Sequence, residues 1–135
     1  MKKEFIDLAK YRLEKAQNTL SDAKKYIKEA TPESTVNRLY YAMFYAVNAL
    51  LIVRGLSSTK HSGVRALFNK EFINKGLIEK ELGKFYSEMF DNRQEGDYKD
   101  FVKFERKNVK IWLEKASEFI NTVVKLTEKT IREYQ

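Results

Sequence analysis

The stretch RLYYAMFYAVNALLIVRGLSSTKHSG (Arg38–Gly63) decides the fold, because its first part is apolar around most of a helix. One row of apolar side chains recurs at three- and four-residue steps, and others widen it: Val36, Leu39, Met43, Val47 and Leu50, then Tyr40, Phe44 and Leu51. Such a helix lies at the centre of a domain, or between its own core and a partner subunit. We predict a central helix over about Pro32–Arg54, ended by Gly55.

Four further helices are predicted on either side of this one. The first is amphipathic and is linked to the central helix by TPES, where Thr31 can cap and Pro32 can occupy the first turn. A third helix precedes Gly76, a short fourth covers about Ile78–Phe90, and a long fifth ends the chain. The apolar face of the first helix consists of Phe5, Leu8, Ala9, Leu13, Ala16, Leu20, Ala23, Ile27 and Ala30.

The scarcity of turn residues also favours helices. Five glycines and one proline in 135 residues are too few for a many-stranded β fold. The length suits one domain over residues 1–135. We predict an all-α protein, an antiparallel up-and-down helical bundle with three long helices and two shorter ones.

Composition and motifs exclude several classes of function. The chain has no cysteine, one histidine and no glycine-rich phosphate loop, which removes thiolate, zinc-hydrolase and P-loop chemistry, and we expect neither a metal nor a cofactor. No apolar run reaches the roughly 20 residues of a membrane span, and the N-terminus lacks a signal-peptide core. We expect a cytoplasmic protein without a membrane partner. The net charge of +7 favours a polyanionic partner such as RNA or a nucleotide.

The lone histidine is the first candidate for catalysis. His61 can act as a general acid or base near neutral pH, and Arg54, a few residues earlier, can hold a phosphate. Such a pair can cleave RNA without a metal, with the 2′-hydroxyl as nucleophile. The structural alternative is that His61 caps the third helix while Arg54 hydrogen-bonds to carbonyls at the end of the second.

A second polar cluster lies in NRQEGDY, which we interpret as a turn between the fourth and fifth helices. There Arg93 can bind phosphate, Asp97 can cap the final helix and Tyr98 can stack on a base or form a hydrogen bond. Alternatively, Asp97 caps the helix and pairs with Arg93. In the central helix, Tyr41 and its neighbouring tyrosines can form a base-stacking platform, or can pack in the core or a dimer contact.

Taken in order, these segments resemble a known family. YYAMFYAVNALL, then KHSGV, then R…GDY and a long amphipathic helix resemble the HEPN domain (higher eukaryotes and prokaryotes nucleotide-binding), in its small stand-alone prokaryotic branch. The resemblance covers nearly the whole chain. It implies a helical bundle, usually a homodimer, often paired with a minimal nucleotidyltransferase in a toxin–antitoxin-like module.

The resemblance also bears on the site. Many HEPN proteins are metal-independent ribonucleases with an arginine and a histidine separated by four to six residues near the start of the last long helix. Here Arg93 is followed by four residues and then Tyr98, and a tyrosine with a pKa of about 10 is a poor base at neutral pH. If the protein is a ribonuclease, we expect His61 to act as acid or base, Arg93 or Arg54 to stabilise phosphate, and Tyr98 to position the substrate.

Three hypotheses follow. The first is a HEPN protein that binds RNA or a nucleotide and acts with a nucleotidyltransferase partner. The second is a metal-independent endoribonuclease toxin, and the third is a dimerisation module without catalysis. Catalysis requires His61 and Arg93 to lie close together, which only a structure can show.

Overall fold

The computed structural model describes the backbone of residues 1–98 and 103–135, and the side chains of these residues except 94–98. The described part contains five α-helices: α1 (Lys3–Tyr26), α2 (Pro32–Val53), α3 (His61–Phe68), α4 (Lys80–Tyr98) and α5 (Arg106–Tyr134). The predicted all-α bundle is therefore confirmed. The helix α3 runs directly into a π-helical turn, Asn69–Ile73.

The four longer helices run alternately up and down. Arg106, at the start of α5, donates hydrogen bonds to the carbonyls of Ile27 and Lys28 just after α1, so α5 runs back along α1. The backbone N–H of Phe104 donates to Glu33 in the first turn of α2, which places the start of α2 at the same end. The end of α1 and the starts of α2 and α5 therefore meet at one end of the bundle.

The link between α1 and α2 forms as the sequence predicts. The Thr31 side chain accepts a hydrogen bond from the N–H of Ser34 at 3.1 Å, and Pro32 occupies the first turn. Gly55 follows α2 with φ = 71°, a conformation that glycine adopts without steric cost. Because both ends of α2 are set by local chemistry, its boundaries were readable from the sequence.

A chain of aromatic rings runs through the core from α3 to α2. Phe68 contacts Phe119 of α5 and Tyr86 of α4, with ring centroids 5.6 and 5.5 Å apart, and Tyr86 stacks on Tyr40 at 5.9 Å. Phe68, Tyr86 and Tyr40 are fully buried, as is Phe119. These rings join four helices, so packing in the core fixes where Tyr40 lies.

The structure corrects the predicted turn at NRQEGDY. The helix α4 continues through this segment to Tyr98 and ends eight residues later than expected. Packing explains the difference, since Arg93 lies over the ring of Tyr40 and Phe90 packs edge-on against it. A glycine inside a helix costs only about 1 kcal/mol, and tertiary contacts of this kind override that preference.

The first helix turns a slightly different face to the core than its pattern predicts. Ile6 is buried in place of Phe5 and Leu8, which are 48% and 41% exposed. Ile6 continues the row of buried residues in α1 at three- and four-residue steps, whereas Phe5 and Leu8 lie beside that row. The rest of the predicted face is largely buried, as Ala9, Leu13, Ala16 and Ala23 show.

The helix α2 is the one helix in the described part long and apolar enough to cross a membrane by length and composition. Inside the bundle, 61% of its apolar window is buried. The core helix of a folded bundle meets the same criteria, so its burial accounts for its composition.

Candidate functional site

His61 is the first residue of α3 and packs against the middle of α2. Its ring stacks on Phe44 with centroids 4.2 Å apart and planes within 5°, and it meets Tyr41 edge-on at 5.7 Å. The N-cap of α3 is Lys60, so the interpretation of His61 as a helix cap is wrong. Its imidazole instead lies half-buried against the aromatic side chains of α2.

A hydrogen bond fixes the orientation of this imidazole. Nδ1 of His61 lies 2.8 Å from the hydroxyl oxygen of Tyr40, although the two residues are 21 positions apart. Burial raises the pKa of Tyr40 to about 12, so the phenol keeps its proton. We assign the hydroxyl as donor to Nδ1, which leaves the ring proton on Nε2 of a neutral His61.

Arg93 reaches the same pair of tyrosines from α4. Its Nη1 donates to the hydroxyl of Tyr41 at 3.3 Å, and its guanidinium carbon lies 5.0 Å from the ring centroid of Tyr40 and 5.6 Å from that of Tyr41. His61 contacts both tyrosine rings from α3. Arg93 and His61, the two predicted catalytic residues, therefore both contact Tyr40 and Tyr41 within one chain.

A polar cleft of about 630 Å³ opens beside Tyr41, between α1 and α2. Lys15 and Arg38 supply positive charge along it, and Tyr45 supplies an aromatic surface over which the Lys15 amine lies at 4.6 Å from the ring centroid. Neither Lys15 nor Arg38 was among the residues predicted from the sequence. The signal that could have found them is their spacing, which places Arg38 and Tyr41 one turn apart on the same face of α2. The lining residues are Lys15, Thr19, Glu33, Ser34, Asn37, Arg38, Tyr41 and Tyr45.

The other predicted arginine does not join this group. Arg54 lies just past the end of α2, roughly 20 Å along the helix axis from Tyr40 at about 1.5 Å per residue. Its guanidinium carbon lies 5.5 Å from the ring centroid of Phe72. The pairing of Arg54 with His61, which rested on closeness in sequence, is therefore wrong.

Asp97 and Tyr98 form the last turn of α4, and their side chains lie outside the described residues. The helix α5 begins only at Arg106, after Glu105 as its N-cap. The predicted role of Asp97 as the cap of the final helix is therefore wrong. The predicted binding role of Tyr98 stays a prediction.

Groups able to hold a metal are not found in the part of the chain that the structure describes, where no three acidic or histidine side chains cluster. The functional groups of the site are the guanidinium of Arg93, the imidazole of His61 and tyrosine hydroxyls. An arginine binds phosphate oxygens and a neutral imidazole can accept or donate a proton. This combination suits a phosphate-bearing ligand.

Known proteins of similar sequence place this chain in a family. The HEPN domain family matches residues 9–128. A "UPF0332 protein" from Thermotoga maritima is 50% identical over 121 residues, covering 90% of this chain and 92% of the relative. The "Putative toxin MJ0142" of Methanocaldococcus jannaschii is 33% identical over 113 residues, covering 84% of this chain and 77% of the relative.

A solved structure shares the fold. The crystal structure of TT1696 from Thermus thermophilus superposes with a TM-score of 0.73 at 16% identity, covering 87% of this chain and 97% of that one. The bundle and the family match together define a HEPN helical domain. This chain belongs to the HEPN domain family, and two of its relatives carry the name "Putative toxin"; the resemblance seen in its sequence is confirmed.

His61 should make the stability of the protein depend on pH. Partial burial, and then the charge of Arg93, lower the pKa of His61 below its usual 6.5. The unfolded chain therefore takes up a proton at higher pH than the folded protein does. The contribution of His61 is present above about pH 6.5 and is lost as the pH falls through the lower, folded value.

We expect the midpoint of urea unfolding to fall more steeply for the wild type than for His61→Gln as the pH is lowered from about 7.5 to about 5. Circular dichroism measures both midpoints. Glu71, whose pKa is lowered by its hydrogen bond to Lys75, is common to both proteins and cancels in the comparison. Parallel curves for the two proteins would contradict the prediction.

Proposed function

We propose that this HEPN protein binds RNA or a nucleotide at the cleft beside Tyr41, with Arg93 holding a phosphate. The observation that carries the proposal is the convergence of Arg93 and His61 on Tyr40 and Tyr41, since Tyr41 lines the polar cleft in which Lys15 and Arg38 supply positive charge. Stacking of a base on an aromatic ring and ionic contacts to phosphate are the usual elements of single-stranded RNA binding. The net charge of +7 acts in the same direction.

The proposal includes the partners that the family resemblance implies. These are a second copy of the chain and a minimal nucleotidyltransferase, in a toxin–antitoxin-like module within the cytoplasm. Two relatives from Methanocaldococcus jannaschii that carry the name "Putative toxin" support the module. The exposed Phe5 and Leu8 on α1 support a protein contact. Gel filtration of the protein alone, and mixed with a minimal nucleotidyltransferase, tests both partnerships.

RNA binding is tested by replacing Arg93. We expect Arg93→Gln to weaken binding of a short fluorescein-labelled single-stranded RNA by about tenfold or more, because a hydrogen bond to a charged group is worth about 1.5–3 kcal/mol. Fluorescence anisotropy measures the affinity over a series of salt concentrations. The salt dependence of the variant should also become shallower by the loss of about one phosphate contact.

Arg132→Gln is the matched control for this experiment. It removes the same charge from an exposed position near the end of α5, and its affinity should stay near that of the wild type. Equal losses in the two variants, or no RNA binding by the wild type at low salt, would contradict the proposal. Circular dichroism of each variant shows that the fold is retained.

A second candidate is a metal-independent endoribonuclease, favoured by the position of His61 beside Arg93. A protonated His61 can donate a proton to substrate from Nε2, and a neutral His61 can accept one there only after its ring proton moves to Nδ1 and is donated to the Tyr40 oxygen. Cellular RNA incubated with the protein and a chelator tests this candidate. Cleavage that disappears in both His61→Gln and Arg93→Gln supports it, whereas intact RNA with the wild type removes this candidate and leaves the binding proposal in place.

A further inference from the structure

A second cavity, of about 260 Å³, lies where the end of α1 meets the starts of α2 and α5. It opens on a different face of α2 from the cleft beside Tyr41, since Pro32 and Thr35 line it, whereas Ser34 and Arg38 line the cleft. Its apolar surface comes from Ile27, Pro32 and Val109. Its remaining side chains are Lys28, Thr35, Arg106, Lys107 and Lys110.

The charged side chains that line this cavity are all positive. Four cationic side chains line it, and no acidic residue in the described part of the chain does so. The guanidinium of Arg106 is fixed by its hydrogen bonds to the carbonyls of Ile27 and Lys28, at 3.1 and 3.2 Å. Lys107 lies 3.4 Å from Glu105 in an exposed ion pair, and no ion pair among the described residues involves Lys28 or Lys110.

We expect this arrangement of cations to lower stability. Arg106 and Lys107 lie in the first turn of α5, which contains no acidic residue, and the N-cap residue Glu105 makes no side-chain hydrogen bond to that turn. The helix dipole disfavours positive charge there, and like charges three or four residues apart, such as Arg106 and Lys110, repel each other. Side chains that lower local stability in this way are expected at positions where function requires them. A bound anion would relieve both unfavourable effects.

We infer that this cavity binds a phosphate-bearing ligand, with the phosphate on Lys28, Lys107 and Lys110 and a compact uncharged part over Ile27 and Val109. A mononucleotide and one nucleotide of an RNA strand share this chemistry. Lysine ammonium groups bind phosphate as point charges and need no bidentate geometry, which suits amines that come from two different parts of the chain. The site does not use Arg93, so it stands whether or not the cleft beside Tyr41 binds RNA.

The single tryptophan of the chain can report on binding. Trp112 lies one turn after Val109 in α5 and packs edge-on against Phe104 at 5.8 Å between ring centroids. We expect AMP, inorganic phosphate or a short oligoribonucleotide to change its fluorescence, and adenosine to leave it unchanged. Calorimetry of the same solutions gives the affinities. Binding of AMP identifies a mononucleotide as the ligand, and binding of the oligoribonucleotide alone identifies an RNA strand.

Substitution of Lys110 then tests whether the ligand binds at this cavity. Lys110→Gln should weaken binding about tenfold, whereas Lys110→Arg, which keeps the charge, should retain most of it. Lys125→Gln removes an equal charge from an exposed position further along α5 and should change the affinity less than about twofold. Circular dichroism verifies the fold of each variant.

Two results would overturn the inference: no binding of any of the three phosphate compounds, or equal weakening in Lys110→Gln and Lys125→Gln. The Arg93→Gln variant distinguishes binding at this cavity from binding at the cleft beside Tyr41. If AMP binding depends on Lys110 and RNA binding does not depend on Arg93, the cavity is supported while the proposed function fails. If RNA binding depends on Arg93 alone, the proposed function is supported and the cavity is not the site.

Discussion

Replacing Tyr40 by alanine should lower the free energy of unfolding by about 3–5 kcal/mol, as for other large aromatic side chains removed from a core. Tyr40 is fully buried and its ring contacts Tyr41, Phe44, Tyr86 and Phe90. A loss of this size is a large part of the roughly 5–15 kcal/mol that typically stabilises a domain. Denaturant unfolding followed by circular dichroism measures it.

The control is Tyr11→Ala, which removes the same side chain from a position that is 56% exposed and should cost much less. Tyr40→Phe separates packing from hydrogen bonding. It keeps the ring, should cost only about 1 kcal/mol, and removes the partner of Nδ1 of His61. The ¹⁵N chemical shifts of the imidazole should then show a mixture of tautomers. An unchanged single tautomer would contradict the role assigned to the Tyr40 hydroxyl.

Replacing Phe119 by alanine should have a comparable effect on stability, about 3–5 kcal/mol, because the cavity left behind cannot be filled by its rigid neighbours. Phe119 is fully buried and lies between Phe68 of α3 and Tyr86 of α4, at 5.6 and 5.4 Å between ring centroids. It carries no polar group and lies on α5, whereas Arg93 lies on α4. We therefore expect the affinity of the folded fraction for RNA to be unchanged.

The matched control for this variant is Phe5→Ala on α1, where the same side chain is 48% exposed. Its effect on the free energy of unfolding should stay below about 1 kcal/mol. Comparable losses in the two variants would show that Phe119 is not part of the core as described. A loss of RNA affinity with Phe119→Ala in fully folded protein would show that α5 also shapes the cleft.

The local features of the fold were readable from the sequence. The near-continuous apolar surface of α2 predicted its burial, and Thr31, Pro32 and Gly55 predicted where it begins and ends. These signals depend on backbone geometry within one or two helical turns, which the local sequence determines. The extension of α4 through NRQEGDY was not readable in this way. There the local preference for a turn is weak compared with the packing of Arg93 and Phe90 on Tyr40.

The sequence by itself determined the all-α class, the central helix, the HEPN resemblance and the choice of His61 and Arg93 as candidates. Tertiary structure decided which candidates meet. Arg54 is close to His61 in sequence yet lies over Phe72, whereas Arg93, 52 positions after Tyr41, bonds to its hydroxyl. The physical reason is that contacts between helices depend on how whole faces pack around a common core, and a buried ring such as Tyr40 can bring together side chains that the chain itself keeps far apart.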